Sequence, residues 1–211
     1  QAINSIKDKL REDTVIVCVQ NGVGAEDIVK NLVPNKVLRA VINQAVSYQE
    51  PGLIKTPFIG YFRAEKDDSL LELINTLKEL KIDASLEDNI KIDLWKKMVI
   101  NCILNPMTAI LGVPNDAISD MQHSLKMVID EIMLVLDKEK INIDKADFDP
   151  LKITKTFSSN ISSMLQDIRK GRKTEIDFIN GAVVELGKKN NIKTPINELL
   201  VEMVHKLEDK R

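Results

Sequence analysis

Residues 94–106 read LWKKMVINCILNP, and this stretch decides the helical half of the fold. It is long enough for about three helical turns. Its polar residues include Lys97, Asn101 and Asn105 at positions i, i+4 and i+8. At about 100° per residue, these three side chains, here called the polar line, share one face of a helix that is otherwise apolar. Because buried amide and ammonium groups are costly without partners, the polar line predicts an internal hydrogen-bond network or the wall of a polar cleft. Lys96 points elsewhere and is expected at the surface.

The composition is that of a soluble globular protein, with 44% apolar residues, 29% charged residues and a net charge of −2 over 211 residues. Lysine and arginine are interspersed with acidic residues, which argues against nucleic-acid binding. No apolar run approaches the roughly 20 residues of a membrane span, and the first ten residues do not resemble a signal peptide. Cys18 and Cys102 lie in apolar runs, which predicts buried, reduced thiols in a cytoplasmic protein. His123 and His205 are isolated, so no metal site is expected.

The first part of the chain predicts an α/β sheet. Residues 14–19 form a continuous β-branched run that is typical of a buried parallel strand. Residues 44–63, with Pro51-Gly52 at a turn, predict the two strands of a hairpin. The remaining elements expected in this part are helices at 1–10, 25–32 and 68–80 and strands at 37–42 and 82–86.

From about residue 88 the pattern becomes helical, so we expect one domain over 1–88 and a second over 89–211. Pro106 is expected to end the first long helix. Gly171 stands where a helix C-cap glycine belongs, and Thr194-Pro195 predicts an N-cap followed by proline at the first helical position. The helices expected here are 90–104, 106–111, 116–121, 124–140, 150–169, 174–189 and 195–208.

Two further stretches could carry chemistry. In an open parallel sheet, ligands bind beyond the carboxyl ends of strands, where the glycines of Gln20–Gly24 would let a ligand approach the backbone. Two glycines alone, however, favour a simple strand-to-helix turn, and the chain contains no GxGxxG fingerprint. The second stretch is Asn160–Asp167 with Thr174–Asp177, whose serine and asparagine side chains could bind a carboxylate. Thr174 could equally be a helix N-cap, with Glu175 favourable in the first turn.

Taken together, these stretches resemble ketopantoate reductase (2-dehydropantoate 2-reductase) along essentially the whole chain. The order and spacing of many pieces make the resemblance specific. The matching pieces are Gln20-Asn21-Gly22, Pro51-Gly52, Leu94–Asn105, Pro106–Ala109, Pro114-Asn115, Asn160–Asp167, Thr174–Asp177, Asn180-Gly181 and Thr194-Pro195.

The resemblance implies a role for each matching polar residue. Lys97 falls on the family's general acid, and Glu175 on its acidic residue near the reacting oxygen and the cofactor. Asn21 matches the asparagine beside the nicotinamide end of NADPH. The residues that match its substrate-binding side chains are Asn101, Asn105, Asn115, Asn160 and Ser163.

The resemblance also implies the reaction, in which hydride from NADPH reduces the C2 ketone of ketopantoate to pantoate on the route to pantothenate and coenzyme A. The implied fold is the rear part of a Rossmann-type sheet, followed by a helical domain like the C-terminal domain of 6-phosphogluconate dehydrogenase. In the family a strand and a GxGxxG turn come first, over roughly 60 residues or more at about 30 per βαβ unit. We therefore expect a truncated reductase that binds NADPH poorly and turns over little.

Two alternatives remain open at this point. A related reductase could act on another 2-keto acid, because the same lysine chemistry would serve it. The chain could also be a non-catalytic helical module in which helices 124–140 and 195–208 mediate dimerisation. A homodimer is compatible with every one of these hypotheses.

Overall fold

The structure is a computed structural model that describes residues 2–44, 47–56, 60–157 and 160–210. Its contacts divide the chain into two compact units. Unit 1 comprises residues 1–20 and 24–94, and unit 2 comprises residues 21–23 and 95–211. The fold class expected from the sequence, a sheet rich in parallel pairs followed by a helical region, is confirmed.

Unit 1 is built on a mixed four-stranded sheet in the order β1-β2-β5-β6. The outer pairs β1/β2 and β5/β6 are parallel, and the central pair β2/β5 is antiparallel. A separate hairpin pairs β3 with β4. The elements of this unit are α1 (Ala2–Ile6), β1 (Ile16–Cys18), α2 (Ala25–Lys30), β2 (Val37–Asn43), β3 (Ser47–Glu50), β4 (Leu53–Lys55), β5 (Tyr61–Glu65), α3 (Leu71–Glu79) and β6 (Asp83–Glu87).

The core of unit 1 lies between the sheet and α3, where Leu38, Phe62 and Ile74 are buried together. On β2 the guanidinium of Arg39 is also buried, and it pairs with the Glu26 carboxylate at 3.1 Å. The same group donates to the carbonyl oxygen of Gln20 at 2.6 Å. Arg39 therefore fastens the end of β1 and the first turn of α2 to the middle of the sheet.

The prediction of a hairpin over 44–63 is right for β3 and β4 but wrong for its end. Residues 61–65 form β5, which pairs with β2 in the main sheet, with Ile42 opposite Phe62. Phe62 and Ala64 are buried while Tyr61, Arg63 and Glu65 are partly exposed, so this strand carries the alternation of a half-buried sheet face. The hairpin itself is an excursion between two sheet strands.

Unit 2 is helical. Its central helix, α4, runs without interruption from Ile90 to Leu111, so the prediction that Pro106 ends it is wrong. Proline normally breaks a helix because it lacks an N–H and crowds the carbonyl four residues earlier. Here that carbonyl, of Cys102, accepts a hydrogen bond from the Asn180 side chain at 3.1 Å. The other helices are α5 (Gln122–Lys138), α6 (Pro150–Thr156), α7 (Ser163–Arg169), α8 (Asn180–Lys189) and α9 (Pro195–Asp209).

The helix predicted over 150–169 is two helices, α6 and α7. Side-chain caps begin each of them: Asp149 accepts from the Leu151 N–H, and Ser162 accepts from the Leu165 N–H. Likewise, the predicted helix 174–189 divides at Ile179 into a 3-10 turn, Ile176–Phe178, and α8. The helix predicted over 116–121 is a 3-10 turn, Asn115–Ile118.

Helix α9 begins with Pro195 as predicted, but its cap is not the predicted one. Thr194 occupies the N-cap position without a side-chain cap bond, and its buried hydroxyl has no partner among the residues that the structure describes. The carboxylate of Glu131 on α5 accepts instead from the N–H groups of Ile196 and Asn197, at 2.8 and 3.0 Å. A neighbouring helix thus supplies the negative charge at the start of α9.

Gly171 follows α7 with φ +68°, and the Arg172 N–H reaches back to the Asp167 carbonyl, as a C-cap glycine requires. Within the described ranges, no helix combines the length and apolar character needed to cross a membrane.

Candidate active site

The structure brings the sequence-predicted site residues into one unit. Unit 2 contains all of them, since its segment 21–23 groups with the helices instead of with the sheet from which it follows. The residues concerned are Asn21, Lys97, Asn101, Asn105, Asn115, Asn160, Ser163 and Glu175.

The polar line lies on α4 as the spacing predicts. Lys97 and Asn101 are half-buried, and Asn105 is 6% exposed. Lys96 is exposed, which confirms its prediction as a surface residue. Most of the rest of the helix is buried in the core, where Trp95, Met98, Val99, Cys102 and Ile103 lie. The ammonium group of Lys97 and the amides of Asn101 and Asn105 therefore lie on one side of α4, and its other sides pack in the core.

A backbone hydrogen bond joins Asn115 to Asn160, although the two residues are far apart in sequence. The Asn115 N–H donates to the Asn160 carbonyl at 3.0 Å. Its side-chain amide donates to the carbonyl of Phe157 at 3.1 Å. The Asn115 Oδ1 is buried and has no partner in the described part of the chain, whereas Asn160 is exposed. Asn115 therefore holds the segment that leads into α7, and its Oδ1 has acceptor capacity left for a ligand.

Ser163 is the first residue of α7 and is exposed, while its neighbour Ser162 is buried. The Ser162 hydroxyl accepts from the Leu165 N–H and lies 2.8 Å from the hydroxyl oxygen of Thr108. Thr108 is 2.7 Å from the Leu104 carbonyl, to which it donates its single proton, so Ser162 donates to Thr108. Sequence reasoning missed Ser162, although a serine just before an apolar helical stretch is an N-cap signal.

Asn21 and Glu175, predicted near the cofactor, contact each other directly. The Asn21 Nδ2 donates to a carboxylate oxygen of Glu175 at 3.0 Å, and both side chains are half-buried. The next two residues also dock on this segment: the Val23 N–H donates to the Phe178 carbonyl at 2.9 Å. A side chain at Gly22, which has φ +95°, would collide with Phe178 and come 2.7 Å from its carbonyl oxygen.

The two glycines of this turn therefore have different roles. Gly24 also has a positive φ, +92°, but nothing lies within 4 Å of the position that its Cβ would take. Gly24 serves the turn alone, whereas Gly22 is required by a close approach. The interpretation as a strand-to-helix turn therefore fits Gly24, whereas the close approach at Gly22 is to Phe178 of the same chain.

The last turns of α9 fasten the segment that carries Glu175. Glu208 accepts from both the backbone N–H and the hydroxyl of Thr174, each at 2.7 Å. His205 lies 2.8 Å from the Asp177 carboxylate. The Thr174 hydroxyl also accepts from the Ile176 N–H at 3.3 Å, but Glu175 and not Thr174 occupies the N-cap position of the 3-10 turn. Glu175 therefore lies between Thr174 and Asp177, and α9 contacts both of these residues.

The two cysteines are free and buried, as the sequence predicts. Burial raises the pKa of the Cys102 thiol well above its usual range. Burial, and next the nearby Glu26 carboxylate, raise the pKa of Cys18. Neither thiol is therefore a candidate nucleophile.

The chain matches two family models. Residues 89–208 match the model described as ketopantoate reductase PanE/ApbA C terminal, and residues 1–65 match ketopantoate reductase PanE/ApbA. The 2-dehydropantoate 2-reductase of Pyrococcus horikoshii is 32% identical over 212 residues, which cover 96% of this chain and 70% of that protein. The enzyme of the same name from Shigella flexneri is 30% identical and covers 98% and 70%.

Solved structures agree with these matches. A ketopantoate reductase from Ralstonia eutropha superposes with a TM-score of 0.91 at 26% identity, covering 99% of this chain and 72% of that one. D-mandelate dehydrogenase, solved with NADH and anilino(oxo)acetate, superposes with a TM-score of 0.83 at 29% identity, covering 99% and 72%. The fold and the matched sequences define an oxidoreductase. Within that class, the chain belongs to the ketopantoate reductase family.

Proposed function

We propose that this protein reduces ketopantoate (2-dehydropantoate) to pantoate with NADPH, a step in the synthesis of pantothenate and coenzyme A. Its membership of the ketopantoate reductase family supports the reaction. The observation that carries the proposal is the polar line, because an ammonium group and two amides stand on one side of a buried helix.

In this proposal Lys97 is the general acid. Reduction of a ketone at C2 leaves negative charge on its oxygen, and the ammonium group of Lys97 stabilises that charge and donates the proton. The half-buried position of Lys97 suits this role better than the exposed position of Lys96. Placement of one such donor contributes about 10²- to 10⁴-fold to the rate.

In the same proposal, amide and hydroxyl groups of unit 2 hold the substrate. The residues to which we assign this role are Asn101 and Asn105 on α4, Asn115, Asn160 and Ser163 at the start of α7. Asn115 and Asn160 share a backbone hydrogen bond. Donors of this kind fix the orientation of the substrate's carboxylate and hydroxyl groups before reaction. Asn101 and Asn105 are supported by α4, most of which is buried. Asn115 is supported by its hydrogen bonds to the carbonyl groups of Phe157 and Asn160.

The family and the NADH-bound relative support a nicotinamide cofactor, and NADPH is our finer proposal. Asn21 and Glu175 fit the nicotinamide end, because an amide and a carboxylate stand together there. When bound, the reduced nicotinamide would supply the hydride. The task of this chain's residues is to orient that ring, and the Asn21–Glu175 bond orients the carboxylate that would contact it.

We also propose two domains with different functions. Residues 1–88 form a partial Rossmann-type domain for the cofactor, and residues 89–211 form the helical domain for the substrate. The buried, free cysteines agree with a reducing, cytoplasmic location. A homodimer through the helical region is also part of the proposal. It is supported by exposed apolar side chains on α5 and α9, namely Met127, Leu134, Leu199 and Met203.

The test is to express the protein from its complete coding sequence and to follow NADPH oxidation with ketopantoate. We expect ketopantoate-dependent oxidation that is saturable, and a lower kcat/KM with NADH than with NADPH. Absence of ketopantoate turnover from folded protein, with both cofactors, would contradict the proposal. Light scattering measured alongside would show whether the protein is a dimer.

A second candidate is reduction of another 2-keto acid. It is favoured by the likeness to D-mandelate dehydrogenase, which is as close in sequence as the ketopantoate reductase structures. Comparison of kcat/KM for ketopantoate with that for an aromatic 2-keto acid separates the two candidates. A higher value for the aromatic acid would select the second.

A further inference from the structure

The helix that carries the polar line contains a proline in its interior. Pro106 has no N–H, so the carbonyl of Cys102, four residues earlier, lacks its helical donor. Cys102 is completely buried, which removes water as an alternative partner. A buried carbonyl without a donor is strongly unfavourable. Some other group must therefore satisfy it for α4 to continue to Leu111.

The donor is the side chain of Asn180, the first residue of α8. Its Nδ2 lies 3.1 Å from the Cys102 carbonyl oxygen. The second proton of the same Nδ2 goes to the Oδ1 of Asn197, at 2.9 Å. An amide nitrogen has only these two protons, so its donor capacity is saturated by one bond to α4 and one to α9.

Asn180 belongs to a buried hydrogen-bond network. Asn197 donates from its Nδ2 to the Glu131 carboxylate at 2.8 Å, and that carboxylate also accepts from two backbone N–H groups of α9. Asn180 and Asn197 are both 0% exposed. We call Glu131, Asn197 and Asn180 the amide network. It connects α5, α9 and α8 to a single carbonyl of α4.

The other atom of the Asn180 amide shows why an asparagine stands here. Its Oδ1 is buried and has no hydrogen-bond partner in the part of the chain that the structure describes. An apolar side chain would avoid that loss, so the position is favourable only through the two bonds that the Nδ2 donates. One of those bonds ends on α4 between Asn101 and Asn105.

We propose that Asn180 is a positioning residue of the active site: it replaces the N–H that Pro106 lacks, and so keeps Asn105 in helical register with Asn101 and Lys97. The proposal rests on the proposed function, in which these three side chains bind and protonate the keto acid. Without the bond, Pro106 would bend α4 at Cys102 and separate Asn105 from the other two.

The test is a double-mutant cycle on the protein expressed from its complete coding sequence. Pro106→Ala restores an N–H that can satisfy the Cys102 carbonyl, and therefore makes the Asn180 donor dispensable to α4. In the wild-type background, Asn180→Ala should raise the KM for ketopantoate about tenfold or more, with little change in the KM for NADPH. In the Pro106→Ala background, the same substitution should raise it less than about threefold.

The matched control is Asn190→Ala, at the other end of α8. Asn190 also donates two side-chain hydrogen bonds, to the Leu186 carbonyl and to Glu139, but neither reaches α4. It should leave the KM for ketopantoate unchanged. An equal rise in KM for Asn180→Ala and Asn190→Ala, or an equal effect of Asn180→Ala in both backgrounds, would overturn the proposal.

Urea unfolding separates this proposal from the proposed function. It is measured on the four proteins of the cycle: wild type, Asn180→Ala, Pro106→Ala and the double variant. Asn180→Ala should raise the unfolding equilibrium constant at least about fivefold more in the wild-type background than with Pro106→Ala. If wild-type protein does not reduce ketopantoate, the proposed function fails while this cycle still tests the bond. If Asn180→Ala folds only with Pro106→Ala, the proposal is supported, and if it folds in neither background, the proposal is wrong.

Discussion

Unit 2 contains two groups of asparagines that differ in what their amides bind. In the amide network, Asn180 and Asn197 are 0% exposed and donate to other groups of the protein. On the polar line, Asn101 is half-buried beside Lys97, whereas Asn105 is 6% exposed. The residue type is the same in both groups, so it does not identify a binding site. The destination of each donor, and not burial alone, separates a structural amide from one that can hold a ligand.

The two groups meet at one bond, from Asn180 to the Cys102 carbonyl. Beyond that bond, we expect the amide network to determine the free energy of unfolding and the polar line to determine catalysis. Substitutions in each group test whether the separation is real.

The largest effect is expected on the polar line itself. Lys97→Ala removes the proposed general acid, so kcat should fall about 10²- to 10⁴-fold, measured by ketopantoate-dependent NADPH oxidation. The urea midpoint should change little, because Lys97 is only half-buried. The control is Lys96→Ala, which removes the same charge from an exposed neighbour and should retain kcat. Wild-type turnover by Lys97→Ala would remove the lysine from the mechanism.

The amide network should respond in the opposite way. Glu131→Ala leaves the N–H groups of Ile196 and Asn197 and the Asn197 amide without their acceptor, so unfolding should cost about 2–4 kcal/mol less. Its kcat should be unchanged at temperatures where it is folded. Glu185→Ala, which breaks only an exposed ion pair with Lys188, is the control and should leave the urea midpoint where it is. A loss of kcat without a loss of stability would contradict the assignment.

A smaller effect is expected where Asn21 docks on the Glu175 segment. Gly22→Ala places a methyl group against Phe178 and requires a left-handed backbone, so it should displace Asn21 and raise the KM for NADPH about tenfold. Gly24→Ala has the same backbone strain without the collision and should lower stability by about 1 kcal/mol with no change in KM. Equal KM values for the two variants would show that the close approach at Gly22 has no part in cofactor binding.

Much of this comparison could be predicted from local sequence patterns. The spacing of the polar line gives its position on one helix face, because helical periodicity is a local property. It also separates Lys97 from Lys96 correctly. The burial of both cysteines follows from the apolar runs around them.

What the sequence could not supply depends on contacts between distant residues. Pro106 predicts a helix end, and only the Asn180 side chain, 74 positions later, makes continuation possible. The N-cap role expected of Thr194 passes to Glu131 for the same reason, because the acceptor comes from another helix. In the hairpin region, the pairing of β5 with β2 depends on a partner about 20 residues away.

The division of the predicted helix 150–169 into α6 and α7 had a local sequence signal, but that signal was too weak to predict two helices instead of one. Asp149-Pro150 and Ser162 both mark helix starts, but the residues between them do not oppose a continuous helix strongly. The joining of Asn115 to Asn160 accompanies this break, since the Asn160 carbonyl is available to the Asn115 N–H outside a helix. Residues 158 and 159, within the predicted helix, lie outside the described residues.

The most direct test of the account compares two asparagine truncations, Asn101→Ala and Asn197→Ala, by kcat/KM for ketopantoate and by urea unfolding. We expect Asn101→Ala to lower kcat/KM about tenfold with a stability change below about 0.5 kcal/mol. For Asn197→Ala we expect a stability loss of about 1–3 kcal/mol with kcat/KM within about threefold, because Asn180 keeps its bond to Cys102. If both variants lose activity and stability in the same proportion, the separation between the polar line and the amide network is wrong.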